Sequence, residues 1–361
     1  MKIILIFSSR KIYDKENAEA GGAKTMMILQ KTIAERAGVS YATVSRAFTN
    51  SAKVKPQTMQ KIRNAMQELG ITDSDDMLLG KGFVSKAVLV IVSDISNYFY
   101  SKVVKGICEG LDPLGYTVVL CHCGLDAKRE LAAMRRAMEN GYSGIIMITV
   151  TGTEEVTQLL QSSSIPIVLV NRYLSALDLD VVRIDNYRGG YMAAQYLWER
   201  GHRHIAMLTG MKGSGTASDR CRGFAEGLQN YGLDFSPRDM VYGDNTRESG
   251  RSFADWLQAR ERPYTAVFVG NDYMAAGMVR RLREVGKRVP EDYSILCFDD
   301  SDLVDEEGLD LTTISCDPVA MGLSAADVFL RRQGDLLGRR FRIVYSPSLK
   351  ERSSVRAIPE E

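Results

Sequence analysis

The chain has 361 residues, with 46 Lys plus Arg against 45 Asp plus Glu. A hydrophobic share of 45% with 25% charged residues describes an ordinary globular protein of two or three domains. It excludes wholesale disorder and a collagen-like repeat, and no stretch approaches the roughly 20 apolar residues of a membrane-spanning helix. The near-zero balance hides an asymmetry. Residues 24–72 carry eight basic side chains against two acidic ones (+6), while residues 73–361 carry 34 against 40 (−6). A small basic unit joined to a large acidic one points to a polyanion as partner of the former.

Residues 1–26 open with Lys2-Ile3-Ile4-Leu5-Ile6, too short an apolar core for a secretory signal, followed by polar residues without periodicity. They are expected to be a disordered leader, or an over-extended start with the initiator at Met26 or Met27.

Residues 27–70 predict a helix-turn-helix unit. Thr32 with Glu35 fits a capping box. Ile33, Ala34 and Ala37 share one helical face, and Gly38 suits the turn because it tolerates positive φ. Ser40 is placed to cap a second helix, from Tyr41 to about Phe48, whose Val44 and Phe48 face inward. A third helix, from about Lys55-Pro56 to Leu69, is expected to bury Thr58, Ile62, Ala65, Met66 and Leu69. The polar outer face of the second helix, with the +6 charge, fits a helix that enters a DNA major groove. Arg46 can reach guanine bidentately, Tyr41 can make base contacts, and Ala42 offers little beyond a thymine methyl. Ser40, Thr43, Ser45, Asn50, Lys53 and Thr58 suit phosphate oxygens.

A linker, residues 71–85, follows. From residue 86 to 361, strand-like runs alternate with helical stretches. Apolar strands are expected over 87–92, 117–121, 144–148, 165–170, 204–208, 266–269 and 294–298. Helices are expected over 101–114, 127–140, 187–200, 222–231, 249–258 and 274–285. Near-continuous apolar strands between helices mean parallel sheets covered on both faces. Seven such units suggest two similar lobes. The fold class expected for the whole chain is therefore an all-α helix-turn-helix domain followed by a two-lobed α/β domain of parallel sheets flanked by helices.

Ligands of such sheets sit beyond the carboxyl ends of strands. Polar or aromatic clusters follow strands at Asn97-Tyr98-Phe99, Asn171-Arg172, Ser214 with Thr216, Arg220, Asn271-Asp272 and Asp299-Asp300. Phe99 can stack on a ring, and Arg220 and Asp299 can hold ligand oxygens and hydroxyls. No dinucleotide fingerprint follows the first strand, and neither a P-loop nor a nucleophile elbow is present. The three histidines, His122, His202 and His204, offer no general base in a cleft. An enzyme is not expected. Cys121-His122-Cys123 has no second ligand cluster, so neither a metal nor a cofactor is expected. The six cysteines contain no C-x-x-C pair and read as reduced, cytosolic thiols.

The segment Ala37-Gly38-Val39-Ser40-Tyr41-Ala42-Thr43-Val44-Ser45-Arg46 resembles the DNA-reading segment of the LacI/GalR transcription regulators, and the resemblance extends from about Lys31 to Arg356. It implies a cytoplasmic homodimer, most simply a repressor. The dimer would read a pseudo-palindromic operator, with base contacts from Tyr41, Ala42 and Arg46, under control of a small effector, a sugar or sugar derivative, bound between periplasmic-binding-protein-like lobes. Those lobes would be 86–184 with 317–345, and 185–316 with 346–361. The dimer interface would fall on the helices at 101–114 and 222–231. Arg220-Cys221-Arg222-Gly223-Phe224 matches the family's Arg-x-x-Gly-Phe ligand motif, and the segments around Asn271 and Asp299 match two others. Asn97, Tyr98, Phe99, Arg172, Ser214, Thr216, Arg220, Asn271 and Asp299 are the expected effector residues.

The linker departs from the family pattern. Leu78 or Leu79 could wedge into a minor groove, but Asp73, Asp75 and Asp76 beside them would face phosphate repulsion. The competing class, a small-solute-binding protein without a regulatory role, calls for a secretion signal and no helix-turn-helix.

Overall fold

The computed structural model describes residues 4–7, 30–49, 54–69, 85–174, 176–302, 309–336 and 338–359. The chain divides into two compact units, one of residues 1–94, 107–168 and 325–339, the other of residues 95–106, 169–324 and 340–361. These limits differ from the lobes expected from sequence. Three of the boundaries, after residues 106, 168 and 324, fall inside a helix or strand, where no loop signal marks them.

In the first unit, the residues described from 30 to 37 form helix α1, followed by α2 (Tyr41–Thr49) and α3 (Pro56–Glu68). Gln30 and Lys31 are already helical, so Thr32 is not the cap of α1 and the capping box expected there does not form. Ile33, Ala34, Val44, Ala47, Ile62 and Met66 make one small core, with Ala37, Val39, Val54 and Met59 packed on it. Ala47 belongs to that core although it was not singled out in the sequence. Leu69, expected inside, is 38% exposed, because the α-helix ends at Glu68 and the chain turns there.

The same unit holds parallel strands β2 (Ser85–Val92), β3 (Thr117–His122) and β4 (Tyr142–Met147), with β3 and β4 on either side of β2. Helices α5 (Ala127–Glu139) and α6 (Glu154–Gln161) follow β3 and β4. Each is capped in the expected chemical way, by Asp126 and by Thr153. Residues 4–7 form strand β1 (Ile4–Phe7), paired parallel with β3. They lie in the segment expected to be a disordered leader or an over-extended start, the remainder of which lies outside the described residues.

The second unit contains a six-stranded sheet in the order β13 (Ser348–Lys350), β11 (Thr312–Ser315), β10 (Ser294–Asp299), β9 (Ala266–Val269), β7 (Ile205–Thr209), β8 (Met240–Tyr242). Only β13 is antiparallel to its neighbour. Strand β6 (Asp180–Ile184) pairs in parallel with β12 (Arg342–Tyr345). Both α7 (Asn186–Glu199) with α8 (Gly215–Asn230) and α9 (Arg247–Gln258) with α10 (Asp272–Glu284) pack closely through reciprocal glycines. A methyl at Gly190 would strike the Arg220 carbonyl, and one at Gly223 the Tyr187 carbonyl. Gly250 and Gly277 stand in the same relation to Met274 and Arg247. Helix α8 begins seven residues earlier than expected, because Gly215–Asp219 has no apolar period to announce it.

His202 lies fully buried in this unit, its Nδ1 2.9 Å from Thr265 Oγ1 and its Nε2 3.1 Å from the Arg356 carbonyl. The carbonyl requires Nε2 to donate, and burial keeps the ring neutral, which leaves Nδ1 as the acceptor. Burial pushes the imidazolium down to about 4 from its ordinary 6.5. Neutral His202 thus contributes stability that is fully present above pH 6.5. It is lost as pH falls from 6.5 toward 4, up to about 3 kcal/mol. Urea unfolding at pH 7 and pH 4.5 reads that loss, and His202→Gln should flatten it. An unchanged pH profile in the variant would assign the loss to other groups.

Candidate functional site

The first candidate surface lies on α2. Gly38, at φ 64°, ends α1, and its N–H donates to the Glu35 carbonyl at 3.3 Å. Ser40 Oγ accepts from the Thr43 backbone N–H at 3.2 Å and shares a hydrogen bond with Thr43 Oγ1 at 2.8 Å, so Ser40 is a cap as expected. At about 100° per residue, Tyr41, Ser45, Ala42 and Arg46 fall within an arc of about 140°. Val44 and Ala47 are buried on the other side. Tyr41, Ala42 and Arg46 are exposed, while Thr43, Ser45 and Thr58 are half-buried. Arg36 of α1 pairs with Glu68 of α3 at 2.6 Å across the exposed surface. Asn50, Lys53, Leu78 and Leu79, also expected at DNA, lie outside the described residues, as do Asp73, Asp75 and Asp76.

The second site is a pocket whose lining residues all belong to the second unit. Its walls are the carboxyl ends of strands. Gly210 follows β7, Gly270 and Asn271 follow β9, Asp299 ends β10, and Asn171 with Arg172 follow β5 (Ile167–Val170). β7 and β9 are adjacent, yet the chain passes to β8 on the far edge between them. The crevice opens at this topological switch, where parallel sheets characteristically bind ligands. Of the expected effector residues, Asn97, Phe99, Arg172, Ser214, Thr216, Arg220, Asn271 and Asp299 line the pocket. Tyr98 does not. It packs on the apolar core around β9 and α10, because α4 (Tyr98–Leu111) starts at that residue and turns its side chain away from Phe99. Tyr100 takes a place in the lining that sequence reading missed. So does Asn245, which follows an edge strand of only three residues, too short to stand out as a run.

Arg220 is the most constrained group in the pocket. It is 8% exposed, and its guanidinium lies 3.5 Å from the centroid of the Phe298 ring. Nε donates to Asn186 Oδ1 at 2.8 Å, Nη1 to the Gly270 carbonyl, and Nη2 to Asp299 Oδ1 at 3.3 Å. That uses three of the five N–H groups of a guanidinium and leaves two for a ligand. Burial pushes the Asp299 carboxyl up, against the opposing pull of Arg220. Asp272 is pushed up by burial and by the Asp299 charge. It accepts from the Ser301 N–H at 2.8 Å and does not line the pocket. Asp300 pairs with Lys350 and Arg352 and accepts from Ser315 Oγ, so it is an internal tie and not a ligand group.

Two of the site asparagines double as helix caps. Asn97 Oδ1 accepts from Phe99 N–H at 3.0 Å, and Asn271 Oδ1 from Met274 N–H at 2.8 Å, which leaves their amide NH2 groups as donors. Among the described residues, no group of three or more His, Cys, Asp or Glu is placed to hold a metal ion.

Sequence and structure comparisons match both parts. Residues 31–72 match the family described as bacterial regulatory proteins, lacI family, and residues 194–355 match the periplasmic binding protein-like domain. The chain is similar to the HTH-type transcriptional regulator DegA of Bacillus subtilis (strain 168), 30% identical over 325 residues, 89% of this chain and 96% of that one. It is also similar to the HTH-type transcriptional repressor CytR of Escherichia coli (strain K12), 31% identical over 330 residues, 91% of this chain and 96% of that one. Among solved structures, the transcriptional regulator CelR–cellobiose complex aligns with TM-score 0.70 and 27% identity, covering 90% of this chain and 99% of that one. A LacI family transcriptional regulator from Enterococcus faecium with bound ribose aligns with TM-score 0.68 and 27% identity, covering 76% and 100%.

Ser40→Ala removes the cap of α2 and should cost about 1 kcal/mol of headpiece stability. Hydrogen exchange of the α2 amides in the full chain measures it; protection equal to the parent's would mean that packing alone holds the start of α2.

Proposed function

The chain belongs to the lacI family of bacterial regulatory proteins, and from that premise we propose that it is a repressor released or armed by a small polyhydroxylated effector. The observation that carries this reading is the joining, in one chain, of a capped helix with Tyr41, Ala42, Ser45 and Arg46 on one outer arc to a polar pocket centred on Arg220. A solute-binding protein without a regulatory role has no use for the first of these.

On this reading Arg46 takes a guanine edge bidentately, Tyr41 makes a neighbouring base contact and Ala42 meets a thymine methyl. Ser40, Thr43, Ser45 and Thr58, with Asn50 and Lys53, serve phosphates and set register. One headpiece offers one such helix, so a symmetric pair of chains would read a pseudo-palindrome. Leu78 or Leu79 would be the minor-groove wedge. The protein would act in the cytoplasm, where its DNA lies, and would not be an enzyme. No helix among the described residues is long and apolar enough to cross a membrane.

The cellobiose and ribose held by two similar regulators support a sugar-like ligand here. Phe99 is suited to lie against a ring, and the donors of Arg220, Asn97 and Asn271 to hold hydroxyls. The ligand changes DNA affinity only by binding the DNA-competent and the incompetent state unequally.

Arg46→Ala should weaken operator binding by about 1–3 kcal/mol and relax preference at one base pair. Gel shifts on operator and unrelated duplex decide it, since an equal loss on both would reduce Arg46 to a phosphate contact. Arg220→Lys keeps a charge opposite Asp299 but loses the fork, and should shift the effector dose–response about tenfold or more. A screen of sugars and nucleobases for release or gain of operator binding supplies the effector. An unchanged dose–response in the variant would remove Arg220 from the site.

A further inference from the structure

The pocket contains two polar groups that the protein itself leaves unanswered. Asn171 is 7% exposed, and its Oδ1 is buried without a hydrogen-bond partner. Arg172, next in the chain, has its Nε buried and equally without a partner. Both residues line the pocket. A buried acceptor or donor left unpaired is costly, and more so for a charged group, so native structures leave few of them.

The backbone that presents this pair is itself strained. Asn171 has φ 66°, and the Arg172 N–H donates to the Val170 carbonyl at 2.7 Å, a tight three-residue turn. The Asn171 N–H is held by the Val182 carbonyl at 2.8 Å. A non-glycine residue in this conformation costs free energy and persists where its surroundings impose it, characteristically at ligand sites.

The charges lining the pocket do not cancel. Arg220 is answered by Asp299 at 3.3 Å. Among the described residues no other carboxylate lines the pocket, and none of them answers the charge of Arg172 there. The missing partners are an acceptor, best an anionic one, for Arg172 and a hydroxyl donor for Asn171 on the adjoining residue.

We infer that the effector is a small polyhydroxylated oxyanion, whose carboxylate or phosphate is held by Arg172 and whose neighbouring hydroxyl donates to Asn171. This rests on the effector reading above and narrows it from sugars in general to their acidic derivatives. A neutral sugar leaves the buried Arg172 Nε without an anionic partner.

The test titrates the full chain by calorimetry with three matched pairs: glucuronate and glucose, galacturonate and galactose, ribose 5-phosphate and ribose. At least one anionic member should bind about 10- to 100-fold tighter than its neutral mate. Arg172→Gln should erase that preference. Arg172→Lys, which keeps the charge without the fork, should retain part of it and keeps the test readable if the Gln variant fails to fold. Preference among the uronates alone names a carboxylate as the oxyanion, and preference for the phosphate alone names a phosphate. Neutral sugars binding as tightly as their anionic mates, or a preference that survives Arg172→Gln, would overturn the inference and leave the effector reading standing. Binding by none of the compounds also overturns it. The effector reading itself falls only if operator affinity is unmoved by every compound of the wider screen.

Discussion

A guanidinium taken out of water must be answered on every side, and the second unit is organised around the one at Arg220. Its partners come from three separate places: Asn186 at the start of α7, the Gly270 carbonyl after β9, and Asp299 at the end of β10. Phe298 supplies the ring beneath it. Removing any one partner would leave a desolvated charge short of compensation, which is far costlier than never burying it. The close glycine packing of α7 on α8 follows from the same demand. Only without side chains at Gly190 and Gly223 can α8 approach closely enough for Arg220 to reach Asn186.

The two candidate sites use charge in opposite ways. On the headpiece, Arg46 stays exposed, where its charge acts through water and salt weakens it. In the pocket, Arg220 is buried and Arg172 half-buried with its Nε out of solvent, so each charge is more selective for what answers it. The +6 and −6 segments of the sequence reflect this separation of tasks. A basic headpiece grips phosphate, and an acidic remainder is repelled by it.

Buried strands that are continuous apolar runs were legible, and β7, β9 and β10 lie within a residue or so of their expected limits, whereas the buried but Thr-rich β11 was not. Strands β6, β8, β12 and β13 were not legible. They are short, and their residues alternate or lie half-exposed, as in Arg342–Tyr345, so no run marks them. The start of α8 escaped for the opposite reason: Gly215, Ser218 and Asp219 are poor helix formers, held helical by packing on α7. Arg220 could be chosen from sequence as a ligand group. Its burial and its internal partners could not, since Asn186, Gly270 and Asp299 are far from it along the chain.

By itself the sequence determined what is local. Ser40 caps α2, Gly38 turns the chain, and the residues of the α2 face follow from helical periodicity, because each depends on neighbours within a turn or two. It also determined the family, through the ten-residue run from Ala37 to Arg46. Tertiary structure decided what depends on distant neighbours. It sent Tyr98 into the core and Tyr100 into the pocket, and it turned Asp300 into an internal tie. It also left Asn171 Oδ1 and Arg172 Nε without partners, since whether a buried polar atom is satisfied depends on what the fold brings to it from elsewhere in the chain.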